Sequence, residues 1–175
     1  MARRYLLVDG YNIIFAWKPL AKLAEDSMDS ARYRLCDILC GYQGVTGQII
    51  IVVFDAHLVE GGIGSAAEYH NITVVFTKEA ETADHYIEYT AWDLSRHDQV
   101  TVATSDRIEQ IIILSHGALR MSAGDLLADV ERAKEQLNER YLKIPAAKKN
   151  PLSGLLDAET ARKLDALRYG SGHSN

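Results

Sequence analysis

Apolar positions along the chain fall into short continuous runs separated by stretches with helical spacing. Tyr5-Leu-Leu-Val8, Ile49-Ile-Ile-Val-Val-Phe54, Ile72-Thr-Val-Val-Phe76 and Val100-Thr-Val-Ala103 are of strand length, and the first reads as buried. Ile49 to Phe54, apolar throughout and rich in β-branched residues, predicts a strand buried on both faces. Ala118 to Met121 predicts a short fifth strand. Ser27 to Gly44 predicts a helix with Ser27 as N-cap and Leu35, Ile38, Leu39 and Tyr42 as its apolar stripe, ended by Gly44 and Gly47. Thr82 to Arg96 predicts a helix capped by Thr82, and Asp106 to Ser115 another. Ser122-Ala-Gly-Asp125 resembles a capping box, with Asp in place of Glu or Gln, and opens a helix to about Leu142. The segment Leu58 to Glu68, with Gly61, Gly62 and Gly64, reads as a loop, and residues 10–26 receive no assignment.

Strands that alternate with helices imply a parallel sheet with helices on both faces. The expected fold class is therefore α/β, a three-layer α/β/α sandwich around a central, mostly parallel sheet. Pro145 and Pro151 bracket a linker carrying Lys148 and Lys149, followed by a short helix from about Asp157 to Arg168 and a disordered end from Gly170. The expected division is a domain over residues 1–143 and a basic tail over residues 144–175.

The length of 175 residues suits one domain with a substantial core. The first apolar run, Tyr5 to Val8, is too short for a signal peptide, and no run approaches the length of a membrane helix. A cytoplasmic protein with no membrane partner is expected. Cys36 and Cys40, four residues apart on one predicted helix, read as small core residues. The net charge of −5 is unevenly spread: residues 1–129 hold 10 Lys and Arg against 18 Asp and Glu, and residues 130–175 hold 9 against 6. An acidic body with a basic C-terminal part suits a carboxylate site served by a separate cationic surface.

The acids gain meaning from their place. In sheets of this kind ligands bind beyond the carboxyl ends of the strands. Asp9 follows the first strand, Asp55 the second, Asp106 the fourth after Thr104-Ser105, and Glu79, Glu81 and Asp84 follow the third. A single Asp after a strand is an ordinary cap or turn former. Four successive strands that send acid to one edge point to a site for a hard cation, because crowded carboxylates repel one another unless a cation lies between them. Carboxylate oxygens with water are the ligand set of Mg2+ or Mn2+. Asp9, Asp84 and Asp106 are the expected catalytic acids and metal ligands, with Asp55 and Glu81 as further ligands and Asn12 orienting Asp9 or touching a phosphate. Ser105 and Thr104 can donate to a phosphate, and Lys78, Arg107 and Arg120 are candidate phosphate contacts. Arg96 and the basic residues from Arg132 onward are further candidates. Tyr11 is a candidate to stack on a base, and Trp17 reads as either stacking or core. His57 and His85 lie beside the proposed acids. No dinucleotide fingerprint, P-loop or nucleophile elbow is present.

The segments Leu6-Leu-Val-Asp9-Gly-Tyr-Asn12, Phe54-Asp55-Ala56-His57, Thr77-Lys78-Glu79-Ala80-Glu81-Thr82-Ala83-Asp84 and Ala103-Thr104-Ser105-Asp106, with Gly117-Ala118-Leu119-Arg120, resemble in order the motifs of NYN-domain ribonucleases. These are a branch of the PIN-like nucleases, and the likeness is greatest to the bacterial YacP-like family. The resemblance implies a PIN-like, Rossmann-like fold, endoribonuclease activity dependent on a divalent cation, and cleavage of mRNA in association with the ribosome. Two other functions fit the same residues: a non-catalytic RNA- or ribosome-binding module, and a metal phosphohydrolase of small substrates.

Overall fold

The apolar run that opens the chain becomes the centre of a sheet. In the computed structural model the described residues are 2–55, 63–78, 81–106 and 117–143. Strand β1 (Arg4–Asp9) runs into helix α1 (Gly10–Ala16), then α2 (Lys18–Asp26) and α3 (Met28–Thr46). There follow β2 (Ile49–Phe54), β3 (Ile63–Tyr69), β4 (Ile72–Lys78), α4 (Ala83–Ser95), β5 (Gln99–Ala103), β6 (Leu119–Met121) and α5 (Ala123–Lys143). The strands form one sheet in the order β3-β4-β2-β1-β5-β6, parallel except for the edge strand β3. This is the expected α/β class, a mostly parallel sheet with helices on both faces.

The period-two geometry of the strands divides the core in two. Leu6, Val8, Ile50, Val52, Phe54 and Val74 pack with α1, α2, α3 and the first part of α5. Leu7, Val53, Val75, Val100 and Val102 pack on the other face with Ala83, Ile87 and Ala91 of α4. By contacts, the chain divides into a unit of Met1–Leu137 and a unit of Asn138–Asn175. The first holds all six strands. Of the second, only the last turns of α5 are described.

Three assignments differ from the sequence reading. Residues 10–26 form α1 and α2: Asp9 caps the first, and Pro19 stands in the opening turn of the second. The stretch read as a loop, Leu58 to Glu68, contains most of β3, which pairs antiparallel with β4 through a tight turn where His70 has φ 52°. Its sequence, Ile-Gly-Ser-Ala-Ala-Glu-Tyr, has little strand propensity, and the pairing with β4 supplies what propensity lacks. Helix α3 continues past Gly44 and stops at Gly47, the residue with a left-handed φ of 66°. Predicted caps Ser27 and Thr82 accept from the N–H groups of Ser30 and His85. Ser122 and Asp125 exchange backbone-to-side-chain hydrogen bonds as a capping box does. The predicted helices at 106–115 and 157–168 lie outside the described residues, apart from Asp106.

Candidate active site

The site lies where the strand order reverses. The chain leaves β1 toward β2 on one side, and β5 is followed by β6 on the other. The carboxyl ends of β1 and β5 therefore flank the crevice where ligands bind in such sheets. Register sets the acids. Asp9 lies opposite Val53 on β2, and Val8 opposite Ala103 on β5. Asp55 and Asp106 thus each stand two residues beyond the level of Asp9, on the strands that flank it.

Asp9 is buried, and its carboxylate is held from below. The Asn12 backbone N–H donates to Oδ1 at 3.1 Å and the Asn12 side-chain amide to Oδ2 at 3.0 Å. Burial pushes the Asp9 carboxyl above the usual carboxylate range. The two Asn12 bonds pull it back, and the charges of Asp84 and Asp106 add to the rise. Asp84 is exposed in the first turn of α4. Its carboxyl is also raised, first by desolvation and then by the charges of Asp106 and Asp55, against the opposing effect of His85. Asp84 thus feels the charges of Asp106 and Asp55, and Asp9 those of Asp84 and Asp106. Asp55 accepts from the Ala83 N–H at 3.4 Å, which ties the end of β2 to the start of α4. Thr104 is fully buried, and its Oγ1 accepts from the Asp106 N–H at 3.1 Å, which turns the chain at the end of β5.

The remaining candidates are placed as follows. Ser105 is exposed beside Asp106, and Lys78 is exposed at the end of β4 on the same edge. Glu81 is half-buried in the turn before α4, its N–H bonded to the Lys78 carbonyl at 2.9 Å. Arg120 is exposed on β6, and its charge acts on Asp125. Arg107, His57 and Glu79 lie outside the described residues. Tyr11 does not have the place expected of a stacking residue. Helix α1 starts at Gly10 and turns residue 11 into the core, where the ring is 7% exposed and packs edge-on to Phe54 at 5.1 Å. Trp17 is also core, and its indole N–H donates to the Ala123 carbonyl at 2.8 Å. Cys36 is buried and its thiol pushed up to about 12, chiefly by desolvation, while Cys40 is half-buried.

Two structural partners of the site escaped the sequence reading. Gly10 lies so close to Phe54 that a Cβ there would come within 2.2 Å of the ring. Arg32 of α3 donates to the Tyr11 hydroxyl at 2.5 Å and pairs with Asp29. Its place one turn before Leu35 and Cys36 on the buried side of α3 was the available signal. Among the described residues, no three His, Cys, Asp or Glu side chains could by themselves hold a metal ion. The donors at the strand ends are all oxygens, which suits a hard cation carried largely by its own water.

The YacP-like NYN domain model matches residues 6–169. The chain is 46% identical over 144 residues to the uncharacterized protein YacP of Bacillus subtilis (strain 168), covering 82% of this chain and 84% of that one. The crystal structure of Rae1 (YacP) from Bacillus subtilis matches with a TM-score of 0.71 at 42% identity over 95% of each chain. A tryptophan-to-leucine mutant of that protein matches with the same TM-score at 40% identity, over 94% of this chain and 99% of the other. Sequence and fold agree, and the chain belongs to the YacP-like NYN domain family.

Proposed function

We propose that this protein is an endoribonuclease that depends on a divalent cation, Mg2+ or Mn2+, and cleaves mRNA in association with the ribosome. The observation that carries this reading is the register that brings Asp9, Asp55 and Asp106 to one sheet edge, with Asp84 tied to it through the Asp55–Ala83 hydrogen bond; after burial, the neighbouring charges add to the raised carboxyls of Asp9 and Asp84. A fold gains nothing in stability from raising its own carboxylates in this way, so the arrangement belongs to a ligand of opposite charge. Asp9, Asp84 and Asp106 would hold the ion, in part through water. Bound there, it would lower the pKa of an attacking water and offset charge on the phosphodiester.

The chain's own residues supply the rest. Asn12 fixes both oxygens of Asp9, so the carboxylate keeps one orientation. Asp55, through the Ala83 N–H, sets the start of α4 and with it Asp84. Ser105 and Lys78, exposed on this edge, would donate to phosphate oxygens. Arg120 would add positive charge from β6. Ribosome association rests on the resemblance of the motif set to YacP-like proteins.

The test is cleavage of a translated mRNA by the purified protein, with and without Mg2+ or Mn2+, beside Asp84→Asn and Asp9→Asn. Cleavage should need the cation and be lost in both variants. Undiminished cutting by both folded variants removes this reading.

A further inference from the structure

The outer face of α4 breaks the rule its inner face obeys. Ala83, Ile87 and Ala91 are buried against the sheet. The opposite side should then be polar. Instead it presents Tyr89, 67% exposed, and Trp92, 45% exposed. Their ring centroids are 6.1 Å apart, and the Arg96 guanidinium lies over the Trp92 ring at 5.4 Å. His85, Tyr89, Trp92 and Arg96 follow a spacing of four, three and four residues. At about 100° per residue they share an arc of roughly 60° and form one line along the helix. His85 and Arg96 are exposed as well. The line starts beside Asp84 and ends about 18 Å from it along the helix axis.

We propose that this line is a track for single-stranded RNA, with bases stacked on Tyr89 and Trp92 and a phosphate at Arg96, and that it leads the strand to the carboxylates at the start of α4. The proposal rests on the nuclease reading for its substrate, though not for its geometry. Aromatic rings with a nearby cation are the usual platform for unpaired bases, because every base has a π-face to offer. Tyr, Trp and Arg also anchor protein interfaces, and what favours RNA here is that the line begins beside the carboxylates that would cut it. The exposed residues of α4 and its C-cap are Asp84, His85, Tyr89, Trp92, Asp93 and Arg96, with no aliphatic side chain among them. Glu88 and Asp93 flank the line and repel phosphate from its sides, which leaves Arg96 at the far end as the cation on the line. The surface is also continuous with the candidate site, since α4 itself carries Asp84.

The chain has two tryptophans, and Trp17 is buried with its indole N–H bonded. Trp17 emits but is shielded from contact, so quenching of the intrinsic fluorescence by an added base reports on Trp92. The full chain is titrated with a short oligouridylate in the presence of a chelator. Saturable quenching is expected, and it should disappear in Trp92→Phe, which keeps the ring and the fold. By anisotropy of a labelled oligouridylate, Trp92→Ala and Tyr89→Ala should each bind about tenfold more weakly. Arg96→Gln should lower the salt slope by about one. In cleavage assays the aromatic variants should raise KM and leave kcat unchanged. The track is overturned if the oligouridylate does not quench Trp92, or if the alanine variants bind it as the parent does. Loss of ribosome binding with oligouridylate binding intact also overturns it, and makes the face a contact for a ribosomal protein. The two readings fail separately. Quenching without cleavage removes the nuclease and leaves the track, while cleavage with an unchanged KM in Trp92→Ala does the reverse.

Discussion

Asn12 spends both its backbone N–H and its side-chain amide on Asp9, one on each carboxylate oxygen, at 3.1 and 3.0 Å. The first bond is a helix cap that many sequences could provide. The second depends on the amide of Asn12 and decides how the carboxylate is oriented. It also opposes the burial that raises the Asp9 carboxyl.

Replacing Asn12 by Ala should therefore keep the cap and lose the orientation. Hydrogen bonds to charged groups contribute about 1.5–3 kcal/mol. The bond from the Asn12 amide is only partly buried, so a stability loss at the low end, about 1.5 kcal/mol, is expected. The clearer signature is kinetic. With the Asn12 amide gone, the Asp9 carboxyl climbs further, and the acid limb of the cleavage profile moves to higher pH. Cleavage rates across pH for the parent and Asn12→Ala check this, and superimposable acid limbs would refute it.

Asp84 gives the opposite relation between stability and activity. Its carboxyl is raised in the folded chain, so the folded state binds more protons than the unfolded state in the window above the ordinary carboxylate value. Stability contributed by the proton is present below the unfolded pKa and is lost as pH rises through the folded one. Asp84→Asn removes that loss. Without divalent cation at neutral pH, the variant should melt about 1–2 °C higher, a small gain because the side chain is exposed and screened. At acid pH, with the carboxyl protonated, the gain should vanish while cleavage stays lost. Melting curves at the two pH values settle the sign.

The sheet and the acid edge were readable because each rests on local chemistry. A run such as Ile49 to Phe54 can bury both faces only as an inner strand, and an Asp after such a strand reaches the carboxyl edge whatever the helices do. What was not readable depends on contacts between distant residues. The sequence of β3 is weak in itself, and β4 makes it a strand. Tyr11 follows the Asp-Gly step like an exposed residue, yet Phe54 and Arg32, from two other elements, hold it in the core. The pair Tyr89 and Trp92 showed no signal in composition, and becomes visible only once the buried face of α4 is known.

Gly10 sets the end of β1 against the buried ring of Phe54. A Cβ at this position would meet Phe54 Cε1 at 2.2 Å and Cδ1 at 2.5 Å, and the ring is fully buried. Gly10→Ala should cost about 1–3 kcal/mol by overpacking. It should also disturb Asp9 and Tyr11 on either side of it. Phe54→Leu in the same chain opens space for the methyl, so the double variant should be less destabilised than the sum of the singles. Urea denaturation of the four proteins gives the coupling, and strict additivity would show that the ring is not what requires glycine there.

Divalent cation should reverse the electrostatic cost of the site. If Asp9, Asp84 and Asp106 share an ion largely through water, its binding draws all three carboxyls toward the ionised form and stabilises the folded chain by mass action. Mg2+ or Mn2+ should raise Tm in the parent and a chelator should return it. In Asp84→Asn the rise should be much smaller, although that variant starts from the higher Tm. Because the donors are oxygens with no thiolate or imidazole required, the advantage of Zn2+ over Mn2+ in thermal shift should be much smaller here than at a cysteine–histidine site. Thermal shifts with each ion, read on the parent and on Asp84→Asn, separate binding at the carboxylates from general screening. Equal shifts in both proteins would mean that the ion binds elsewhere, and the crowding of acids would then need another explanation.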